Sequence, residues 1–100
     1  MARRAAILYE VVVTVSPEIR AAYLAWLKPH MEKMLTFDGF QSAEMFVNAE
    51  SDCEITSQYR VRDRAAMDAY LAGPAKALRA DGVKRFGDGM RATRRILTVL

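Results

Sequence analysis

Histidine, cysteine and tryptophan occur once each, as His30, Cys53 and Trp26, and each scarcity removes a class of chemistry. One cysteine closes no intramolecular disulfide. One histidine and one cysteine cannot make a Cys/His metal cluster, and no Ser/His/Asp order can be built around an imidazole that stands alone. No pair of acids suggests glycoside hydrolysis, and "GDG" around Asp88 is a turn without the phosphate-loop pattern. The expectation is a protein that uses neither metal nor organic cofactor.

Long apolar runs are missing too. The N-terminal "MARRAAILYEVVV" sets two arginines ahead of an apolar stretch, as a signal peptide would, but Glu10 interrupts it and no small-residue cleavage pattern follows. No segment reaches the roughly 18 apolar residues that span a bilayer. These absences predict a chain that is neither exported nor membrane-inserted, with Cys53 a reduced, half-buried thiol in the cytoplasm.

A strong charge of one sign is also absent: 15 basic residues against 12 acidic ones leave +3, mild for a nucleic-acid binder. Between Lys76 and Arg95 the balance tilts, with seven basic residues against Asp81 and Asp88. Such a run is most often a solvated face. An RNA-recognition domain would carry a glycine-aromatic motif on its third strand, where "EITSQYRVR" offers only Tyr59. Nucleic acid is therefore not the expected partner.

What is present is globular: 52% hydrophobic and 27% charged residues argue against disorder. The length suits a single domain over residues 1–100, able to bury roughly two thirds of its unfolded surface. "AILYEVVVTV" reads as a central strand, apolar on both faces. Ser16-Pro17-Glu18 then supplies an N-cap, a first-turn proline and an acid that complements the helix dipole. Ile19, Ala22, Tyr23, Trp26, Leu27, Met34 and Leu35 follow the spacing of one buried helical face, with His30 on it. Pro29 removes a helical hydrogen bond and presses on the Ala25 carbonyl, which predicts a kink or an offset second segment.

"FDGF" is a turn with Gly39 free to take positive φ. "FQSAEMFVN" and "EITSQYRVR" read as a hairpin joined by the polar "AESDC". Ile55, Ser57, Tyr59 and Val61 share one face of the second strand; Thr56, Gln58, Arg60 and Arg62 share the other. Asp63 can cap a helix through Met67, Tyr70 and Leu71, which Gly73-Pro74 interrupts before spacing resumes at Leu78, Val83 and Phe86. "MRATRRILTVL" closes the chain as a strand. The order is that of an α+β, ferredoxin-like βαββαβ fold, a four-stranded antiparallel sheet with two helices on one face. The other face would leave Leu8 and Val12 wet. Burying each large side chain is worth about 1.5–3 kcal/mol, so pairing of two sheets into a homodimer is expected.

"LYEVVVTV", "YLAWLKPHMEKML", "GFQSAEMF", "QYRVRDRAAMDAYL" and "LRADGVKRFG" with "RATRRIL" together resemble a family of bacterial proteins of about this length that carry a domain of unknown function. It lies within the dimeric α+β barrel superfamily. The resemblance implies a homodimer whose sheets face each other, and no known reaction. Pro29 departs from the pattern, where an ordinary helix former is expected. The wider superfamily includes cofactor-free monooxygenases, small isomerases, decarboxylases, haem proteins and stress-response proteins, which commonly use a cleft between sheet and helices. Likeness of fold raises an expectation without assigning chemistry.

Such a cleft would bring His30 beside Trp26 and Tyr59. A neutral imidazole there could act as a general base on an acidic C–H or phenolic O–H. A histidine on an apolar stripe is more often a structural residue, and that reading stands beside the catalytic one. A haem role has nothing but the lone histidine behind it. Glu10, Gln58 and Arg60, joined by Arg94 or Arg95, could orient an anionic ligand on the sheet face away from the helices. They could equally form a polar network within a dimer. The leading expectation is a homodimeric barrel that binds a small, partly apolar molecule through Trp26, Tyr59 and Arg60, with cofactor-free acid/base chemistry at His30. The alternative is a non-catalytic dimeric module in which the same residues fill the core.

Overall fold

A computed structural model describes residues 5–100 of the chain. Its elements are β1 (Ile7–Val15), α1 (Arg20–Met34), β2 (Phe40–Asn48), β3 (Ser51–Val61), α2 (Arg64–Ala72), α3 (Ala75–Phe86) and β4 (Met90–Thr98), with short 3-10 turns before α1 and after α3. The strands form one sheet in the order β2-β3-β1-β4, and every neighbouring pair is antiparallel. This is the α+β, ferredoxin-like arrangement expected from the sequence, with three helices where two were expected. Gly73-Pro74 divides the second helical stretch, as its composition implied.

Alternation along β1 decides the architecture. Ile7, Tyr9, Val13 and Val15 are buried under the helices with Ile55, Tyr59 and Val61 of β3, and Tyr23, Leu27, Met31 and Met34 of α1 close over them. Ser57 is buried in the same layer. Asp63 accepts the Ala66 amide at 2.9 Å and so caps α2, as expected. Gly39 takes φ 86°, the turn conformation that its place in "FDGF" predicted.

Four local expectations are corrected. First, α1 runs unbroken through Pro29. Both Pro29 and Ala25 are exposed, so water can reach the carbonyl that the proline leaves unpaired, and the helix continues. Second, Ser16 makes no side-chain cap; Pro17 opens a 3-10 turn whose Ile19 amide donates to the Ser16 carbonyl at 3.1 Å. Third, β3 begins at Ser51, inside the segment whose polar composition reads as a loop. Only Ala49 and Glu50 turn, and the Asn48 side chain both accepts the Glu50 amide and donates to Glu54. A hairpin tip wet on both faces reads as loop although its backbone is paired. Fourth, Val83 is 60% exposed. The inward stripe of α3 runs Ala75, Leu78, Gly82, Phe86, and a glycine on a buried stripe leaves no apolar signal to count.

Candidate functional site

Between the sheet, α1 and α3 lies a cleft that opens to solvent and encloses about 50 Å³. Its floor is the inward face of β1, β3 and β4. Of the four residues singled out from sequence, Trp26, His30 and Tyr59 line it. Arg60 does not. Successive residues of a strand point to opposite faces, so with Tyr59 beneath the helices Arg60 lies exposed on the other side.

Trp26 organises the wall. Its indole N–H donates to Asp81 of α3 at 3.0 Å, and Asp81 also accepts from Arg85 at 3.1 Å. This ties α3 to α1 and fixes the ring plane, on which the His30 imidazole stacks at 4.4 Å and 20°. The i, i+4 spacing read from the sequence is the cause of that stacking. Phe86 meets the same indole edge-on at 5.7 Å.

No hydrogen bond among the described residues reaches the imidazole, and none of their buried side-chain nitrogens or oxygens lacks a partner. The His30 nitrogens therefore face solvent and the cleft. Burial pushes the imidazole pKa down, Asp81 pulls it up, and Lys33 and Arg94 push it down again. The lowered value favours the neutral ring, the form able to accept a proton.

Tyrosines make up much of the remaining lining. Burial raises Tyr23 and Tyr70 to about 12 and raises Tyr59 as well, with the Ser57 hydroxyl opposing the effect at Tyr59. These phenols stay neutral at cellular pH and can donate hydrogen bonds. Tyr9 stacks on Tyr59 at 6.0 Å and accepts a long contact from Arg79 at 3.5 Å.

Sequence reasoning missed Tyr23 and Tyr70 as cleft residues, Asp81 as the anchor of Trp26, and the two arginines at the rim, Arg79 and Arg94. Strand alternation could have separated Arg94 from Arg95: the register pairs Val11 with Arg94 and Glu10 with Arg95. Arg95 donates to Glu10 at 2.8 Å and Gln58 donates to it at 3.1 Å, which forms the expected network on the open face without Arg60. That bond to Arg95 is the largest cause of the lowered Glu10 pKa. The basic C-terminal run is thus divided among the cleft, the open face and an ion pair on α3.

Among the described residues no group of three or more His, Cys, Asp or Glu side chains could hold a metal ion, and no helix is long and apolar enough to cross a membrane. A family model for a domain of unknown function, DUF4286, matches residues 6–100. The chain belongs to the DUF4286 family. No curated protein matches this DUF4286 chain significantly.

Solved structures share its fold. SnoaB, a cofactor-independent oxygenase from Streptomyces nogalater seen in a mutant form, aligns with TM-score 0.77 and 14% identity over 94% of the DUF4286 chain and 92% of its own. A candidate antibiotic biosynthesis monooxygenase from Nitrosomonas europaea aligns with TM-score 0.76 and 13% identity, over 100% and 95% of the two chains. Rv0793 from Mycobacterium tuberculosis gives TM-score 0.72 at 22% identity over 95% of each. At these identities the likeness is one of fold.

Proposed function

We propose that this DUF4286 protein is a cytoplasmic homodimer that binds a small, partly apolar molecule between the sheet and helices α1 and α3, and that His30 exchanges a proton with it without a cofactor. The observation that carries the reading is an imidazole without a hydrogen-bond partner among the described residues, stacked on Trp26 and facing a cleft lined by neutral phenols. Of the ionisable side chains there, histidine is the type whose ordinary pKa lies nearest neutrality. The shared fold of a cofactor-independent oxygenase is consistent with cofactor-free chemistry in such a cleft. The half-buried apolar Leu8, Val12 and Leu97 of the open face support sheet-to-sheet pairing, and the free Cys53 suits a reducing compartment.

Small-molecule sites commonly occupy about 300–1,000 Å³. The cleft encloses far less, so binding needs it to widen. The wall best placed to move is α3, which buries only Ala75 and Gly82. The same narrowness favours a second reading, a non-catalytic module whose aromatic residues serve packing alone. His30→Gln separates the two. On the catalytic reading, turnover of an activated phenol or C–H acid falls by about 10²-fold or more, the scale of general-base catalysis, while the fold persists. If binding and turnover match the wild type and only thermal stability drops, His30 is structural and the catalytic reading fails.

A further inference from the structure

Arg79 comes to the cleft from α3 and Arg94 from β4. Neither forms an ion pair among the described residues, whereas Arg62, Arg64, Arg85 and Arg95 each meet a carboxylate. Among the described residues the cleft lining includes no acid. Arg94 is close enough to act electrostatically on Tyr23, His30 and Tyr70, and Arg79 acts on Tyr70 as well. Two guanidinium groups thus come to one aromatic cleft without a carboxylate of their own among the described residues; Asp81, behind Trp26, is engaged by that indole and by Arg85.

Both arginines are exposed at the rim, where a ligand can reach them, and a fork of guanidinium donors beside an aromatic slot matches a planar carboxylate in both charge and shape. We propose that the cleft takes a small aromatic carboxylate, with its charge held by Arg79 and Arg94 and its ring against Trp26 and the tyrosines. The proposal rests on the cleft being the ligand site. It adds the sign of the ligand's charge and the residues that select it. His30, beside Arg94, then lies next to the bound ring, where an acidic proton would be within its reach.

The wild-type chain can be titrated with benzoate and with benzamide, its uncharged isostere, and followed through the fluorescence of Trp26, the single tryptophan. Arg79→Gln, Arg94→Gln and the double variant are treated alike, with circular dichroism to check that each remains folded. Benzoate is expected to bind at least about tenfold more tightly than benzamide, the low end of what a charge-assisted hydrogen bond contributes. The preference should fall in each single variant and vanish in the double variant. Equal binding of the two probes, or a preference that survives in the double variant, overturns the carboxylate proposal and leaves the cleft as a small-molecule site. Failure of both probes to bind the wild type overturns the cleft reading along with it.

Discussion

Arg94 and Arg95 are neighbours in sequence and occupy opposite faces of the sheet. Arg94 turns beneath the helices into an aromatic cleft and has no carboxylate partner among the described residues. Arg95 turns outward and pairs with Glu10, whose other oxygen accepts from Gln58. At the rim of the covered face Arg94 therefore stays without a carboxylate, while on the open face Glu10 neutralises Arg95; Arg60 and Arg91, also on the open face, are exposed and make no ion pair among the described residues. A polar network satisfied within one chain, as Glu10, Gln58 and Arg95 form, could be buried against the proposed second copy at lower cost than an unpaired charge, with Arg60 and Arg91 left in water at the margin. Leu8, Val12 and Leu97 supply apolar surface around the network.

The contrast can be broken first by stability. Leu27, 2% exposed, packs the covered face. Leu27→Ala is expected to lower unfolding free energy by about 2–5 kcal/mol, as large-to-small core changes do. Leu8→Ala on the open face should cost under about 1.5 kcal/mol at low protein concentration and more as concentration rises, because a dimer is stabilised by mass action. Urea midpoints at two concentrations check both. A concentration-independent cost at Leu8 would remove the argument for pairing.

Next is the partner surface itself. Val12→Asp places a charge at the middle of the open face and should raise the dimer dissociation constant on the order of a hundredfold or more, since an uncompensated buried charge costs about 3–5 kcal/mol. Sedimentation should show a wild-type dimer and a folded monomeric variant. A wild type that sediments as a monomer defeats the idea outright.

The open face was the more legible of the two from sequence. Exposed and half-exposed polar residues obey alternation, so Glu10, Gln58 and the surplus of Leu8 and Val12 could be placed by counting. The cleft was legible only along α1, where Trp26 and His30 are four apart on one helix. Arg79 and Tyr70 approach it from other helices, and Gly82 marks the buried stripe of α3 without any side chain to announce it. Their meeting depends on tertiary packing, which periodicity within one element does not encode. Arg60 stands apart from Tyr59 for a simpler reason: adjacent positions of β3 face opposite sides of the sheet, so the two cannot share one ligand.

A smaller effect separates the faces by pH. Burial holds His30 below its ordinary value of about 6.5, so the folded chain binds fewer protons than the unfolded chain in the window beneath that value. Stability should therefore be complete above about pH 6.5 and fall as pH drops through the folded pKa. Glu10 is held down chiefly by its bond to Arg95, so its contribution is present above about pH 4.3 and is lost as pH falls further. Urea midpoints between pH 8 and 3 should show two successive losses, and His30→Gln should abolish the upper one alone. An upper loss that persists in that variant would move its source away from the cleft.

The finest test acts within the cleft. A methyl group at Gly82 would meet the Trp26 ring at 3.5 Å and the Met90 methyl at 3.6 Å, which is ordinary contact. Gly82→Ala should therefore raise stability by about 0.5–1 kcal/mol, because alanine is the better residue in a helix interior. The same methyl occupies part of a space of about 50 Å³. Affinity for benzoate should fall as thermal stability rises, opposite signs from one substitution. A purely structural cleft has no reason to keep a glycine on the buried face of α3. If Gly82→Ala is more stable and binds as well as the wild type, the space beside Trp26 is not where the ligand lies.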